Sequence, residues 1–415
     1  MTNDPFDDDP EVKRELRRID GVLPKNIDRR SFFKKTMASV MGLGALAGCT
    51  GDGDDDGGST PTTSGTTATS TSEQRERVNP GEISFRNFWR PKQGYAFEYM
   101  TAVGAEGKPS FMDEQMNASP PEMSAGTNDA SQYTGTGEAE LGLSSWSITI
   151  NGTENDWDSV TFGMSNPKAF VGLIYDESVI EDPEEDLAGA EIAQTGNLME
   201  VTWPLYGDAI GVSQSDLGSF EYVEENVVGS FLRESRVDAV WTTINDFPTF
   251  ESVAEENDVS LGVDPLYKRE PLYGLNLVAN GDFVEENPEY MRRYLTAYSM
   301  AGKWSLLHPE EVLDIFRQDI RPELRTNDRE SQLKAMKISV FWTNYTDGIR
   351  DNGVGYINRD VAETSTQAFA ESFDVDVSVD DFVDFSVQED AELDSFTSDE
   401  WSQLEENGQP YLNLF

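Results

Sequence analysis

The chain has a single cysteine, Cys49, and a single histidine, His308, in 415 residues. A disulfide within the chain is impossible, and thiolate metal clusters and Cys–His catalysis are excluded. A serine, histidine and aspartate triad would have to use His308. That residue precedes Pro309, which reads as the first residue of a helix, so His308 reads as a helix-entry residue and not as a base. Lysine is scarce, 11 residues against 20 arginines. Basic residues of both kinds total 31 against 78 acidic ones, giving a net charge of −47. Nucleic-acid binding, which relies on Lys and Arg patches, is therefore not expected. Beyond residue 50 no apolar run is long enough to span a bilayer, which takes about 20 residues.

A charge of −47 on a compact chain repels itself at low salt. At molar salt the Debye length falls to about 3 Å and the repulsion is screened. The composition thus reads as that of a protein from an extreme halophile. An acidic disordered chain is the rival reading, but 22 Phe, 14 Tyr and 8 Trp supply a core.

The first fifty residues read as an address. Asp28-Arg-Arg-Ser-Phe-Phe-Lys34 places Arg29, Arg30, Phe32 and Lys34 in the pattern of a twin-arginine export signal. A weakly apolar run from Thr36 to Gly48 suits a signal-peptide core and is too short to span a membrane. It ends in Leu46-Ala-Gly-Cys49, which resembles a lipobox with Cys49 as the lipidated residue. Two acyl chains there would hold the protein on the extracytoplasmic face of the membrane, where one binds only marginally. Residues 1–48 are taken as extension and signal, and 49–79 as a flexible acidic and Ser/Thr-rich tether with no pattern for a packed core. Sequons at Asn117, Asn151 and Asn344 permit glycosylation.

From Gly81 onward strands alternate with helices, which implies an α/β fold with a mainly parallel sheet. Strands are expected at 83–89, 141–150, 169–175, 190–193, 220–223, 238–243, 259–263 and 272–279. Helices are expected at 95–103, 227–236, 247–256, 283–307, 310–317, 329–342 and 359–373. No repeat of 20–50 residues is present.

Four segments in order resemble the substrate-binding proteins of ABC importers for nitrate, sulfonates, taurine and hydroxymethylpyrimidine-type thiamine precursors. They are Thr136-Gly-Glu-Ala-Glu-Leu-Gly142, Asp186-Leu-Ala-Gly189 with Ala190-Glu-Ile-Ala193, Arg236-Val-Asp-Ala-Val-Trp241, and Phe283-Val-Glu-Glu-Asn-Pro288 through Ala297. Glu140 stands where that family usually has Asp, Arg236 where Gly is common, and the usual Lys after Gly189 is missing. The resemblance covers residues 81–320, and no motif is placed in 320–415. It implies a two-lobed type II periplasmic binding protein fold with the ligand in a cleft and hinge closure on binding. Lobe I would comprise 81–172 and 273–415, and lobe II 173–272. It further implies a non-enzymatic, monomeric receptor that hands its solute to a permease and ATPase, with no cofactor and no metal.

Ligands of open α/β sheets sit beyond the carboxyl ends of strands and at helix N-termini. That rule selects Trp89, Tyr95, Ser145, Trp146, Thr195, Asn197, Asn245, Asp246 and Tyr273 as substrate-binding candidates. Trp89, Tyr95 and Trp146 would sandwich a flat ring, which favours a heteroaromatic solute such as a pyrimidine. The Thr195-Gly-Asn197 turn would instead offer backbone N–H groups to an anion such as a sulfonate. Core packing of the aromatics and turn or N-cap chemistry of Asn197, Asn245 and Asp246 compete with these roles. Two other functions stay open: a lipid-anchored enzyme using paired carboxylates, and a surface-attached structural protein.

Overall fold

The computed structural model describes residues 83–87, 97, 101, 122–123, 130–224, 236–255, 259–320, 322–326 and 328–413. The export signal, Cys49, the tether, Trp89 and Tyr95 lie outside these residues. Among the described residues, ten strands make two five-stranded sheets.

The first sheet contains β1 (Phe85–Asn87), β2 (Glu122–Met123), β3 (Leu141–Ser145), β4 (Ser159–Met164) and β10 (Leu275–Asn280), in the order β2-β1-β3-β10-β4. The second contains β5 (Val171–Asp176), β6 (Glu191–Gln194), β7 (Ser219–Tyr222), β8 (Ala239–Thr243) and β9 (Leu261–Pro265), in the order β7-β6-β8-β5-β9. Strands such as β3 are buried along their whole length, because helices cover both faces, and they read as continuous apolar or small-residue runs. Each sheet holds one strand antiparallel to both its neighbours: β10 beside β3 and β4, and β5 beside β8 and β9. In each case it is the first strand the chain forms after leaving the other sheet.

The chain therefore crosses twice, through residues 165–170 and 266–274. The two crossings are laced together. The Ala169 N–H donates to the Leu272 carbonyl at 2.8 Å, and the Gly274 N–H donates to the Asn166 carbonyl at 3.1 Å. The Ser165 and Asn166 N–H groups share the Leu275 carbonyl at 3.0 and 2.9 Å. Gly274 is required at this approach, since a Cβ there would fall 2.7 Å from the Lys168 carbonyl oxygen.

The structure departs from the sequence pattern at identifiable points. The run 141–150 is not one strand. It turns helical at Trp146, because the Ser145 hydroxyl accepts the Ile148 N–H and caps the helix Trp146–Thr153. The run 283–307 is two helices, Gly281–Glu286 and Pro288–Leu307, because Pro288 lacks the N–H that would continue the first and suits the start of the second. β4 has no counterpart in the pattern reading. His308 lies between the helices Pro288–Leu307 and Pro309–Ile315, its ring stacked on Trp304 at 5.1 Å.

The C-terminal hundred residues are not a separate cap. Helix Arg359–Phe373 packs on helix Trp146–Thr153, which follows β3, and on helix Asn197–Ile210, which follows β6. One apolar cluster runs from Trp146 and Met164 through Tyr273 and Ile357 to Leu173 and Trp241, so the two sheets share a continuous core. The loop 353–358 is pinned to the end of β4, where the Met164 N–H donates to the Gly355 carbonyl at 2.9 Å. Gly353 and Gly355 have φ of 100° and 99°, a region where a side chain is strained. No described helix is long and apolar enough to cross a membrane.

Candidate functional site

A cavity of about 670 Å³ opens where the crossings meet the C-terminal region. This falls in the range of small-molecule sites, about 300–1,000 Å³. The first crossing contributes Pro167 and Lys168, and the second contributes Tyr267 and Tyr273. The C-terminal region supplies the rest of the aromatic wall: Trp342, Tyr345, Tyr356 and Trp401. Asp347, Arg350 and Glu405 line the same space.

Local structure fixes these groups. Trp342 ends a stretch of π-helix, Lys337–Trp342, an irregularity frequent at functional sites. The Tyr345 ring lies flat on Trp401, centroids 5.0 Å apart and 11° between planes, and its hydroxyl donates to Glu405 at 2.6 Å. The Tyr273 hydroxyl accepts the Asn358 N–H at 2.6 Å and donates to the Asn358 carbonyl at 3.1 Å. That pair of hydrogen bonds ties the second crossing to the 353–358 loop.

Lys168 is the unusual member. It is only 9% exposed. Its ammonium lies 4.8 Å from the centre of the Trp342 ring, 5.3 Å from Tyr267 and 5.9 Å from Tyr345. Among the described residues no carboxylate forms an ion pair with it. Burial without a counter-charge pulls its pKa from 10.5 down to about 8. Ring faces stabilise a cation, but less than a paired anion does. The nearby Arg350 is already committed, to Asp347 at 2.9 Å and Asp351 at 2.8 Å.

Of the nine candidates drawn from the sequence, Tyr273 lies on this wall. Trp146 is fully buried behind it, 4.9 Å from the Tyr273 ring and 5.2 Å from Phe382, with its indole N–H donated to Thr366. It serves the core and does not face the cavity. Ser145 caps its helix. Thr195 shares a hydrogen bond with Thr242 at 2.7 Å. Asn197 is the first residue of its helix. Asn245 and Asp246 form the short turn after β8, 6% and 9% exposed. Asp246 accepts from the Thr243 hydroxyl at 2.8 Å, while the Asn245 side-chain oxygen is buried with no partner. Trp89 and Tyr95 lie outside the described residues.

Strand-end reasoning missed Lys168, Tyr267, Trp342, Tyr345, Tyr356 and Trp401. The available signal was compositional: Phe341-Trp-Thr-Asn-Tyr345 and Gly353-Val-Gly-Tyr356 gather aromatics and glycines in a stretch without a placed motif. Among the described residues no group of three or more His, Cys, Asp or Glu is placed to hold a metal ion.

Residues 121–312 match the family described as NMT1/THI5 like. A comparison with curated protein sequences gives no match. Among solved structures, the ligand-binding component of an ABC-type import system from Staphylococcus aureus, with zinc bound, is similar at a TM-score of 0.53 and 11% identity, covering 75% of this chain and 99% of its own. The periplasmic aliphatic sulphonate binding protein SsuA from Escherichia coli is similar at 0.52 and 14% identity, covering 77% and 94%. A putative sulfonate-binding protein SsuA from Methylobacillus flagellatus is similar at 0.53 and 14% identity, covering 74% and 92%. The chain thus carries an NMT1/THI5-like segment, residues 121–312, on the fold of the solute-binding components of ABC-type importers.

Proposed function

We propose that this protein is the extracytoplasmic receptor of an ABC importer, capturing a small solute in the cavity at the crossings and delivering it to a permease. The observation that carries this reading is the aromatic-walled space of about 670 Å³ built from both crossings and the C-terminal region. A solute there touches the two strips of chain joining the sheets, so its binding couples to their relative angle. Residues 81–172 with 273–415 act as one lobe and 173–272 as the other. The receptor performs no chemistry on the solute and works as a monomer.

The twin-arginine pattern at Arg29 and Arg30, with Cys49 after Leu46-Ala-Gly48, supports export of the folded protein and lipid anchoring. The net charge of −47 supports operation in molar salt. The strand-end residues Ser145, Thr195, Asn197, Asn245 and Asp246 stand as a second contact set. The unpartnered, buried Asn245 oxygen favours it, since such a group is costly unless something donates to it.

Native mass spectrometry and thermal-shift titration in molar KCl against pyrimidines, sulfonates and nitrate test the reading. A true ligand at 100 times its Kd stabilises the fold by about 2.7 kcal/mol. Tyr345→Ala, which removes one ring from the wall, should weaken it roughly fivefold. Absence of binding across the panel, or binding indifferent to this substitution, overturns the proposal.

A further inference from the structure

We propose that Lys168 is the recognition point for a negative charge on the solute, and that the solute is a flat-ring compound carrying one anionic group. The inference rests on the receptor reading above and deepens it. Two observations carry it.

The first is the placement of the ammonium. Lys168 sits on the crossing itself, in a cavity, held by three ring faces and by no carboxylate among the described residues. A buried ammonium left in that state is costly, and an apolar residue of the same shape would fill the wall at less cost. The missing partner fits an incoming anion. Ring faces leave the donor N–H groups uncommitted, so a carboxylate or sulfonate can take them directly.

The second is the charge and shape around it. Asp347 and Glu405 line the same space, and Arg350 is neutralised by Asp347 and Asp351. One positive charge is available to the solute, and Glu405 together with the net negative Asp347–Arg350–Asp351 cluster opposes any further negative charge. This selects a monoanion over a dianion such as a phosphate monoester. Lys168 also opposes a cation, although an aromatic box would otherwise suit a quaternary ammonium. The parallel face offered by Tyr345 on Trp401 suits a planar ring better than an alkyl chain.

Calorimetry in molar KCl on the exported, lipid-free chain tests this with benzenesulfonate and benzoate, their neutral counterparts benzenesulfonamide and benzamide, and tetramethylammonium. The wild-type protein should bind the anions at least about tenfold more tightly than the neutral pair. Lys168→Met should weaken the anions by roughly 30-fold or more and leave the amides within twofold. Removing an unpaired buried charge should not lower the melting temperature, so a folding defect is not expected to mask the result. Lys168→Arg, which keeps the charge, should retain the preference for anions over amides. Equal binding of anion and amide by the wild type, anion affinity unchanged in Lys168→Met, or preferred binding of tetramethylammonium each overturns the inference. In all three the receptor reading survives, because a solute still binds in the cavity. If no probe binds and the wider panel also fails, the receptor reading falls and this inference with it.

Discussion

The two sheets share one frame and fill it with different interiors. In the first, a polar seam runs under the strands. The Ser131 hydroxyl donates to Ser144 at 2.6 Å, and the Asn276 amide donates to Thr161 at 2.6 Å and to Thr149 at 3.1 Å. In the second, the same layer is aromatic. Trp241 lies 5.5 Å from Trp203 and 4.7 Å from Tyr206, and its indole N–H donates to the Met199 carbonyl. The Tyr206 hydroxyl in turn donates to buried Asp264, which Arg269 pairs at 2.9 Å. The topology, with one reversed strand per sheet, does not depend on which chemistry fills it. The cavity does depend on the difference between regions. Its aromatic wall comes mostly from residues 342–412, and the stretch just after β9 adds Tyr267.

Substitutions that attack one interior should separate the two. Trp241→Ala empties the aromatic layer of the second sheet and should cost about 3–5 kcal/mol by denaturant unfolding in molar KCl. Gly274→Val forces a side chain against the Lys168 carbonyl where the sheets are joined, and should cost about 1–3 kcal/mol while also changing ligand affinity. Asn276→Ala removes one donor of the polar seam and leaves the Thr161 hydroxyl short of a partner, while Thr149 keeps its bonds to Ser144 and Ser131, at about 1–3 kcal/mol. A cost for Asn276→Ala above that for Trp241→Ala would reverse the comparison.

The pH dependence of binding sharpens the contrast between crossing and sheets. Lys168 is protonated below about 8 and loses its proton above it. An anion binds the protonated form, so affinity should be flat below that pH and fall by up to tenfold per unit above it, read by calorimetry. The sign for stability is opposite. The native pKa is depressed from 10.5 to about 8, so between these values the unfolded chain binds more protons and stability rises with pH. The smallest effect is expected for Lys334→Met, which removes the half-exposed ion pair to Glu251 on the helix after β8. Its cost should be about 0–1 kcal/mol and smaller still in molar salt.

Legibility followed the range of the interactions. Helix Arg359–Phe373 was expected with the limits it has, because its cap and its apolar spacing are local. The burial of Trp146 was not legible, for a nonlocal reason. Its position after a strand suggests a ligand face, but Phe382 and Thr366, more than two hundred residues away in sequence, close over it. β4 was missed because its partner β10 and the 353–358 loop supply the order that Gly163 weakens.

The sequence by itself determined the acidic composition, the paired-arginine and Leu-Ala-Gly-Cys patterns at Arg29, Arg30 and Cys49, the alternation of strands and helices, and the resemblance in residues 81–320. These are properties of composition, spacing and local capping. Only the tertiary structure decided that Lys168 meets Tyr267, Trp342 and Tyr345, and that both crossings and the C-terminal region enclose one space. Those residues are brought together by packing across the crossings, and no periodicity along the chain records that meeting.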